Sequence, residues 1–384
     1  MKRTGIIFSL FLGAILLFGF VGCANVGSEV ENDNPNAPVI GVSMPTKSLE
    51  RWNHDGANIK KYLEEKGYRV SLKYADNKID QQVKDIESLI PDVDLLLVSP
   101  VDGYSLTQVL KDAKAQDKPV ISYDKLIMGT DAVTYYVSFD NFKVGLFQGQ
   151  HVLKALGLTD PNDTSKTYNM ELVAGEPTDN NATMFFKGSM SALQPYIDSG
   201  VIKVPSGQVE FEQCSTKNWD TTTAMTRMQN ILATYYSDGQ QLDICLCNND
   251  SVALGARQAL DSDYSGKNQV LLTGQDGDEA NVANICQGKQ SMTIYKPIVY
   301  EATVAVDIVD YIYRRGKFPN EELCHTSKWS FEAVFDNTSY DNGKKNIDSY
   351  ILTPFAIDKD NIDEILVGYG FYYWGDDGFP KVVK

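Results

Sequence analysis

Histidine is scarce: His54, His151 and His325 are the only three in 384 residues. That leaves little material for a His-based metal site or an imidazole-activated nucleophile. Positive charge is also short. Lys and Arg number 35 against 51 Asp and Glu, for a net −16, and no basic cluster stands out. With no positive field to replace phosphate counterions, the chain is not built for nucleic acid. No phosphate-cradling glycine loop and no metal-ligand spacing appear either, so neither a cofactor nor a metal is expected. Cysteine is sparse and irregular. Cys23 apart, there are five, at 214, 245, 247, 286 and 324. An odd number at such spacing is no disulfide framework. Cys245 and Cys247 lie in an apolar run and, two apart on a strand, would face one side as buried small hydrophobes.

What the chain has in quantity is core-forming material. Hydrophobic residues make up 43% and charged residues 22%, the balance of a globular protein long enough for two domains. The N-terminus differs from the rest. Lys2 and Arg3 precede an uncharged apolar run from Gly5 to Gly22, and Cys23 follows directly. A basic start, a short apolar core and a small residue before a cut site describe a secretory signal. Phe20-Val21-Gly22-Cys23 resembles a bacterial lipobox, with Phe20 where Leu is usual. The expectation is a signal peptide at 1–22, a lipidated Cys23, and a flexible polar tether up to residue 38. An uncleaved N-terminal anchor is the alternative, and both place the remainder outside the cytoplasm.

From residue 39 apolar β-prone runs alternate with amphipathic segments. One series has strands near Val39–Met44, Val70–Tyr74, Leu95–Ser99, Pro119–Tyr123 and Tyr135–Phe139. A second has strands near Asn169–Ala174, Gln208–Phe211, Ile244–Cys247, Val270–Gly274 and Met292–Tyr295. Continuous apolar strands such as Leu95-Leu96-Leu97-Val98 suit a parallel sheet covered on both faces. Ten such units imply two doubly wound α/β lobes of about five units each. A further helix and two β-prone stretches after residue 297 must return to one lobe or the other, so the lobes share several crossings. We expect one lobe at 39–140 and about 297–335, and the other at 141–296 and about 350–384.

In open α/β sheets ligands sit past the carboxyl ends of the strands. At those ends fall Pro45–Trp52, Asp124-Lys125, Gly175–Asn181, Asn248–Asp250, Gln275–Asp278 and Lys296-Pro297. Carboxylates accept, Arg and Lys donate, and amides do both, so the set complements a polyol edge. Trp52 and Trp219 offer flat apolar partners for a sugar ring. Each residue also has a plain structural role open to it. Asn181 and Asn249 could cap helices, Asp276 could be a turn residue, Trp219 could be core and Lys296 could be solvated.

The same stretches resemble the bacterial periplasmic sugar-binding proteins of ABC transporters. They fall in the xylose- and ribose-binding branch, nearest the ChvE-like proteins that take several monosaccharides. The resemblance is carried by Met44–Ser48 with Glu50-Arg51-Trp52, by Ser122–Lys125, and by Ser138–Asn141. It continues through Thr178–Ala182, Pro195–Gly200, Asn249-Asp250, Gly274–Asp276 and Thr293–Pro297. It implies a type I periplasmic binding fold, an interlobe cleft, and sugar contacts from Arg51, Trp52, Asp124, Lys125, Asn181, Trp219, Asn249, Asp276 and Lys296. Lys125 stands where that family usually carries Arg, and lysine cannot form the bidentate fork of arginine. The implied protein is a monomeric sugar-binding lipoprotein that serves ABC permease subunits and performs no catalysis.

Three other functions are compatible with parts of the sequence. A sensory co-receptor would bind the same sugar and differ only in partner. A glycosidase needs paired carboxylates, but Asp124 and Asp276 end strands of different lobes. A LacI-like regulator shares the core, yet a secretion signal stands where a helix-turn-helix would be. Glucose, galactose, arabinose, xylose or a sugar acid all remain open as ligands.

Overall fold

The computed structural model describes residues 34–383. The expected signal segment, Cys23 and most of the tether lie outside them. The last five residues of the expected tether, 34–38, are among those described. Residues 34–38 form a turn in which the Ala37 N–H donates to the Asn34 carbonyl. Ala37 is buried and its carbonyl accepts from Arg69 Nε.

The first lobe alternates β1 (Val39–Met44), α1 (Glu50–Glu65), β2 (Arg69–Tyr74), α2 (Ile79–Leu89), β3 (Leu95–Val98), α3 (Val109–Ala115), β4 (Val120–Tyr123) and β5 (Tyr135–Phe139). Its strands carry apolar residues on both faces because helices cover both sides of the sheet. Leu95 and Leu97 join one core, Leu96 and Val98 the other.

The second lobe runs α4 (Asn141–Leu156), β6 (Tyr168–Val173), α5 (Asn180–Asp198), β7 (Ile202–Lys203), α6 (Phe211–Cys214), α7 (Thr221–Tyr235), β8 (Ile244–Cys247), α8 (Asp250–Asp263), β9 (Leu271–Leu272), α9 (Glu279–Cys286) and β10 (Met292–Tyr295). Cys245 and Cys247 are buried on β8 with their sulfurs 3.7 Å apart, and the five described cysteines are unbridged. The strand expected at Gln208–Phe211 does not form. Gly207 turns with a positive φ, and Phe211 and Cys214, one helical turn apart, both pack on a second-lobe core with Met170, Leu172 and Ile244. A capping box between Glu210 and Gln213 starts that turn. The two-residue β7 takes the sheet edge instead.

The chain then returns: α10 (Ile298–Arg315), α11 (Glu322–Thr326), β11 (Ala333–Asp336), β12 (Asp348–Leu352), β13 (Phe355–Asp358), β14 (Tyr372–Trp374) and β15 (Pro380–Val382). The second lobe was expected to resume at about 350. Instead β12 lies parallel to β5 through Leu352, with Tyr350 and Leu352 in one first-lobe core and Ile351 in the other. The crossing falls at Thr353-Pro354.

The first sheet has the order β11-β12-β5-β4-β3-β1-β2, parallel except for β11. The second has the order β7-β6-β8-β9, and a bridge from Gln275 to Ile294 continues it to the β10–β13 pair. Each sheet therefore reverses direction once, at β1/β3 and at β6/β8. That reversal opens a crevice at the carboxyl ends. Three crossings join the lobes, at residues 139–141, 295–298 and 352–355.

Candidate functional site

Arg51 sits in the first turn of α1, just past the end of β1, and is buried although charged. Its Nε donates to Asp55 at 3.0 Å, and Nη2 meets Glu301 at 3.0 Å and Asp124 at 2.8 Å. Nη1 reaches Asp276 of the other lobe at 3.3 Å. Burial works against the guanidinium charge, but these four carboxylates hold its pKa well above the ordinary value. Asp55 and Glu301 are themselves buried, and burial raises both. Arg51, lying between them, opposes that rise only in part.

Asp124 follows β4 with φ +57°, a conformation a side chain normally avoids. Three donors fix its carbonyl there: Tyr136 Oη, Ser138 Oγ and Asn181 Nδ2, each at 2.8 Å. Its carboxylate meets Lys296 Nζ at 3.0 Å. Burial opposes the Asp124 charge, yet Arg51 and Lys296 outweigh it and carry the pKa down to about 2. Lys125, next in sequence, pairs with Asp179 of the second lobe at 3.0 Å and lies over the Trp52 ring.

From the second lobe, Asn249 does two things at once. Its Oδ1 caps α8 by accepting from the Val252 N–H, while its Nδ2 turns to Asp276 at 3.3 Å. Asn181 is no cap. Asp179 caps α5, leaving Asn181 to accept from Asn141 and donate to Asp124. Asp276 has φ +105°. Burial pushes its pKa up, and Lys296 and Arg51 offset this only in part. Trp219, at φ +56°, donates from Nε1 to Asp179 and sets the outer edge of its indole against Gly175. A Cβ on Gly175 would stand 1.9 Å from the indole, so only glycine lets the ring lie there. Asp124, Trp219 and Asp276 thus all hold sparsely populated backbone conformations, as functional sites often do.

All nine residues singled out from the sequence line one cavity of about 420 Å³ between the lobes. Asp179, Gln275 and Asp278 line it too: they fall in the expected strand-end stretches but were not among the nine, and Phe185 lay outside those stretches. Asp179 reads as a helix cap, which it also is, and Phe185 reads as core, which it also is. Among the described residues no cluster of three or more metal-ligating side chains occurs.

Two doubly wound lobes facing each other across a polar cleft define a solute-binding protein. The comparisons agree. The periplasmic binding protein domain matches residues 40–317, and the chain belongs to that family. It is 39% identical over 339 residues to the multiple sugar-binding periplasmic protein SbpA of Azospirillum brasilense, covering 87% of this chain and 90% of that one. It is also 39% identical over 337 residues to the multiple sugar-binding periplasmic receptor ChvE of Rhizobium radiobacter, with the same coverage. Among solved structures, an ABC transporter solute-binding protein of Clostridium phytofermentans with bound β-D-glucose superposes with a TM-score of 0.80. It shares 43% identity over 88% of this chain and 99% of that one. The family binds extracytoplasmic solutes and is not a family of enzymes.

Proposed function

We propose that the protein captures a neutral monosaccharide in the interlobe cleft and delivers it to the permease of an ABC importer. One observation carries the ligand class. Every cation facing the cavity is already matched: Arg51 to four carboxylates, Lys125 to Asp179, and Lys296 to Asp124. The cavity thus offers alternating donors and acceptors with no spare positive charge. Hydroxyls can insert into such a lattice, accepting from the cations and donating to the carboxylates. A sugar acid would add a negative charge beside Asp124, Asp179, Asp276 and Asp278. Trp52, Trp219 and Phe185 supply apolar faces for the ring.

Residues 24–384 should be tested by thermal shift against a panel of neutral pentoses and hexoses and their uronic acids. A ligand that binds the folded state raises the midpoint as its concentration passes Kd. Neutral sugars should shift it and uronic acids should not. A panel in which only acids shift it, or nothing does, overturns the reading. We further propose that the mature chain is a monomer anchored through lipid on Cys23, which supplies the membrane attachment. Mass spectrometry of membrane-extracted protein should find an acylated N-terminal Cys23, and an intact Met1 peptide would sink this. The similarity to ChvE, a multiple sugar-binding periplasmic receptor, favours a second reading, in which the sugar-bound form also engages a membrane sensor.

A further inference from the structure

The backbone that follows Asp276 is held by groups that line no part of the cavity behind it. The Asp276 N–H donates to the Ile294 carbonyl at 2.8 Å. The Gly277 and Asp278 N–H groups both donate to Asp250 Oδ2, each at 2.9 Å. The Gly277 carbonyl accepts the hydroxyl of Tyr372. Gly277 itself has φ +77°, and a Cβ there would stand 2.6 Å from the Tyr295 ring. The turn is therefore confined between Asp250 on one side and the Tyr295 and Tyr372 rings on the other.

Tyr372 is not held by the sheet that carries Asp276. It belongs to the C-terminal β14–β15 hairpin, beyond residue 317 where the family match ends. That hairpin is fastened in its own right. The Val382 N–H donates to Glu279 in the first turn of α9 at 2.8 Å. Phe371 packs against Tyr295 and Tyr300 with ring centroids 5.1 and 5.3 Å apart, and Tyr372 meets the edge of Tyr295 at 5.8 Å.

Resting on the sugar-site reading above, we propose that the C-terminal hairpin is a working part of the site. Tyr372 is a positioning residue: by holding the Gly277 carbonyl it fixes where the Asp276 carboxylate stands. Asp276 occupies a positive-φ conformation with little preference of its own. Its side chain therefore points where the flanking peptide planes are pinned, and one of those pins comes from the C-terminus. Without the hydroxyl, the Gly277 carbonyl loses a buried donor and the turn relaxes away from Arg51 and Asn249.

The test is a double-mutant cycle on the full mature chain, read by calorimetry with D-glucose or, failing that, the tightest-binding neutral sugar of the panel. Tyr372→Phe removes one oxygen and keeps the ring packing. It should weaken binding about three- to tenfold in the otherwise native protein. In an Asp276→Asn background the same change should weaken it less than about twofold, because its route of action is already broken. Urea midpoints measured in parallel separate this from loss of fold. An equal loss in both backgrounds makes Tyr372 merely structural and overturns the proposal. So does native affinity in Tyr372→Phe, or a lowered urea midpoint with unchanged affinity. If the native protein binds no monosaccharide at all, the sugar reading falls first and takes this one with it.

Discussion

The two lobes meet the cleft with different chemistry. The first presents both its cations, Arg51 and Lys125, beside Trp52 and Asp124, and Arg51 rests on buried carboxylates of its own lobe, Asp55 and Glu301. The second presents carboxylates, amides and an indole, held on helix caps and tight turns. One face is set by a buried charge network, the other by backbone geometry. The contrast is sharpest in two aspartates. Asp124 is flanked by Arg51 and Lys296 and is held down to about 2. Asp276, at the other side of the same cavity, is pushed upward by burial. A cation network matched entirely by protein carboxylates has its stability built in, whereas a turn-borne carboxylate contributes mainly when something fills the cleft.

The comparison is open to breakage at its strongest point. Arg51→Met removes the one cation shared by four buried or half-buried carboxylates. Breaking a buried charge network from one side costs about 3–5 kcal/mol. Urea unfolding should show a loss of that size, and a loss under about 1 kcal/mol would mean the network is not what orders the first lobe. Asp276→Ala should do the reverse, sparing the fold while weakening sugar binding. A charged acceptor contributes about 1.5–3 kcal/mol, so affinity should drop roughly 10- to 150-fold by calorimetry. Equal destabilisation by the two variants would erase the distinction between lobes.

Acid should separate the two aspartates. The folded pKa of Asp124 lies below its ordinary 3.8. The stability it lends is therefore complete above that value and is lost as pH falls from about 4 through about 2. The shift is worth about 2 kcal/mol. Asp276 is displaced upward, so on acidification it takes its proton before Asp124 does. Sugar affinity should decline first and unfolding resistance later, and simultaneous loss of both would contradict the assignment. The smallest signal is geometric. Hinge closure is an established motion of periplasmic binding proteins, and a ligand drives it only through contacts it makes better in the closed form. Arg51, Trp52, Asp124 and Lys125 lie on one side and Asn181, Trp219, Asn249 and Asp276 on the other. Saturating sugar should therefore lower the radius of gyration in small-angle scattering, and an unchanged value at proven saturation would rule closure out.

Much of this was legible before any coordinates. Strand–helix alternation gave the two doubly wound lobes, and the carboxyl-end rule reached eight of the nine expected residues, Trp219 coming instead from its indole and the family resemblance; all nine line the cavity. What stayed hidden had physical causes. Asp55 and Glu301 sit on amphipathic helices, where a carboxylate ordinarily faces water, and nothing in their spacing marks them as buried beneath Arg51. Asp179 was masked by its own cap. The stretch Tyr350–Phe355 reads as one strand, but Pro354 cannot donate to a ladder. The chain leaves the first sheet there, which moves the crossing past the expected 350. Tyr372 is a long-range partner of Gly277, and no local pattern links the two.

The position of β12 also bears on how the molecule comes into being. It lies beside β5 in the first sheet, although more than two hundred residues separate them. A ribosome or a translocation channel delivers the chain from its N-terminus. For most of that passage β5 exposes an unpaired edge. Most of the second lobe, continuous from α4 through β10, can assemble while its neighbour still waits, with β13 and the C-terminal hairpin joining it after β12. The first-delivered lobe thus stays unfinished until β12 arrives, and pairing of such remote strands is slow. Until Leu352 arrives, that open edge is the segment most in need of a chaperone.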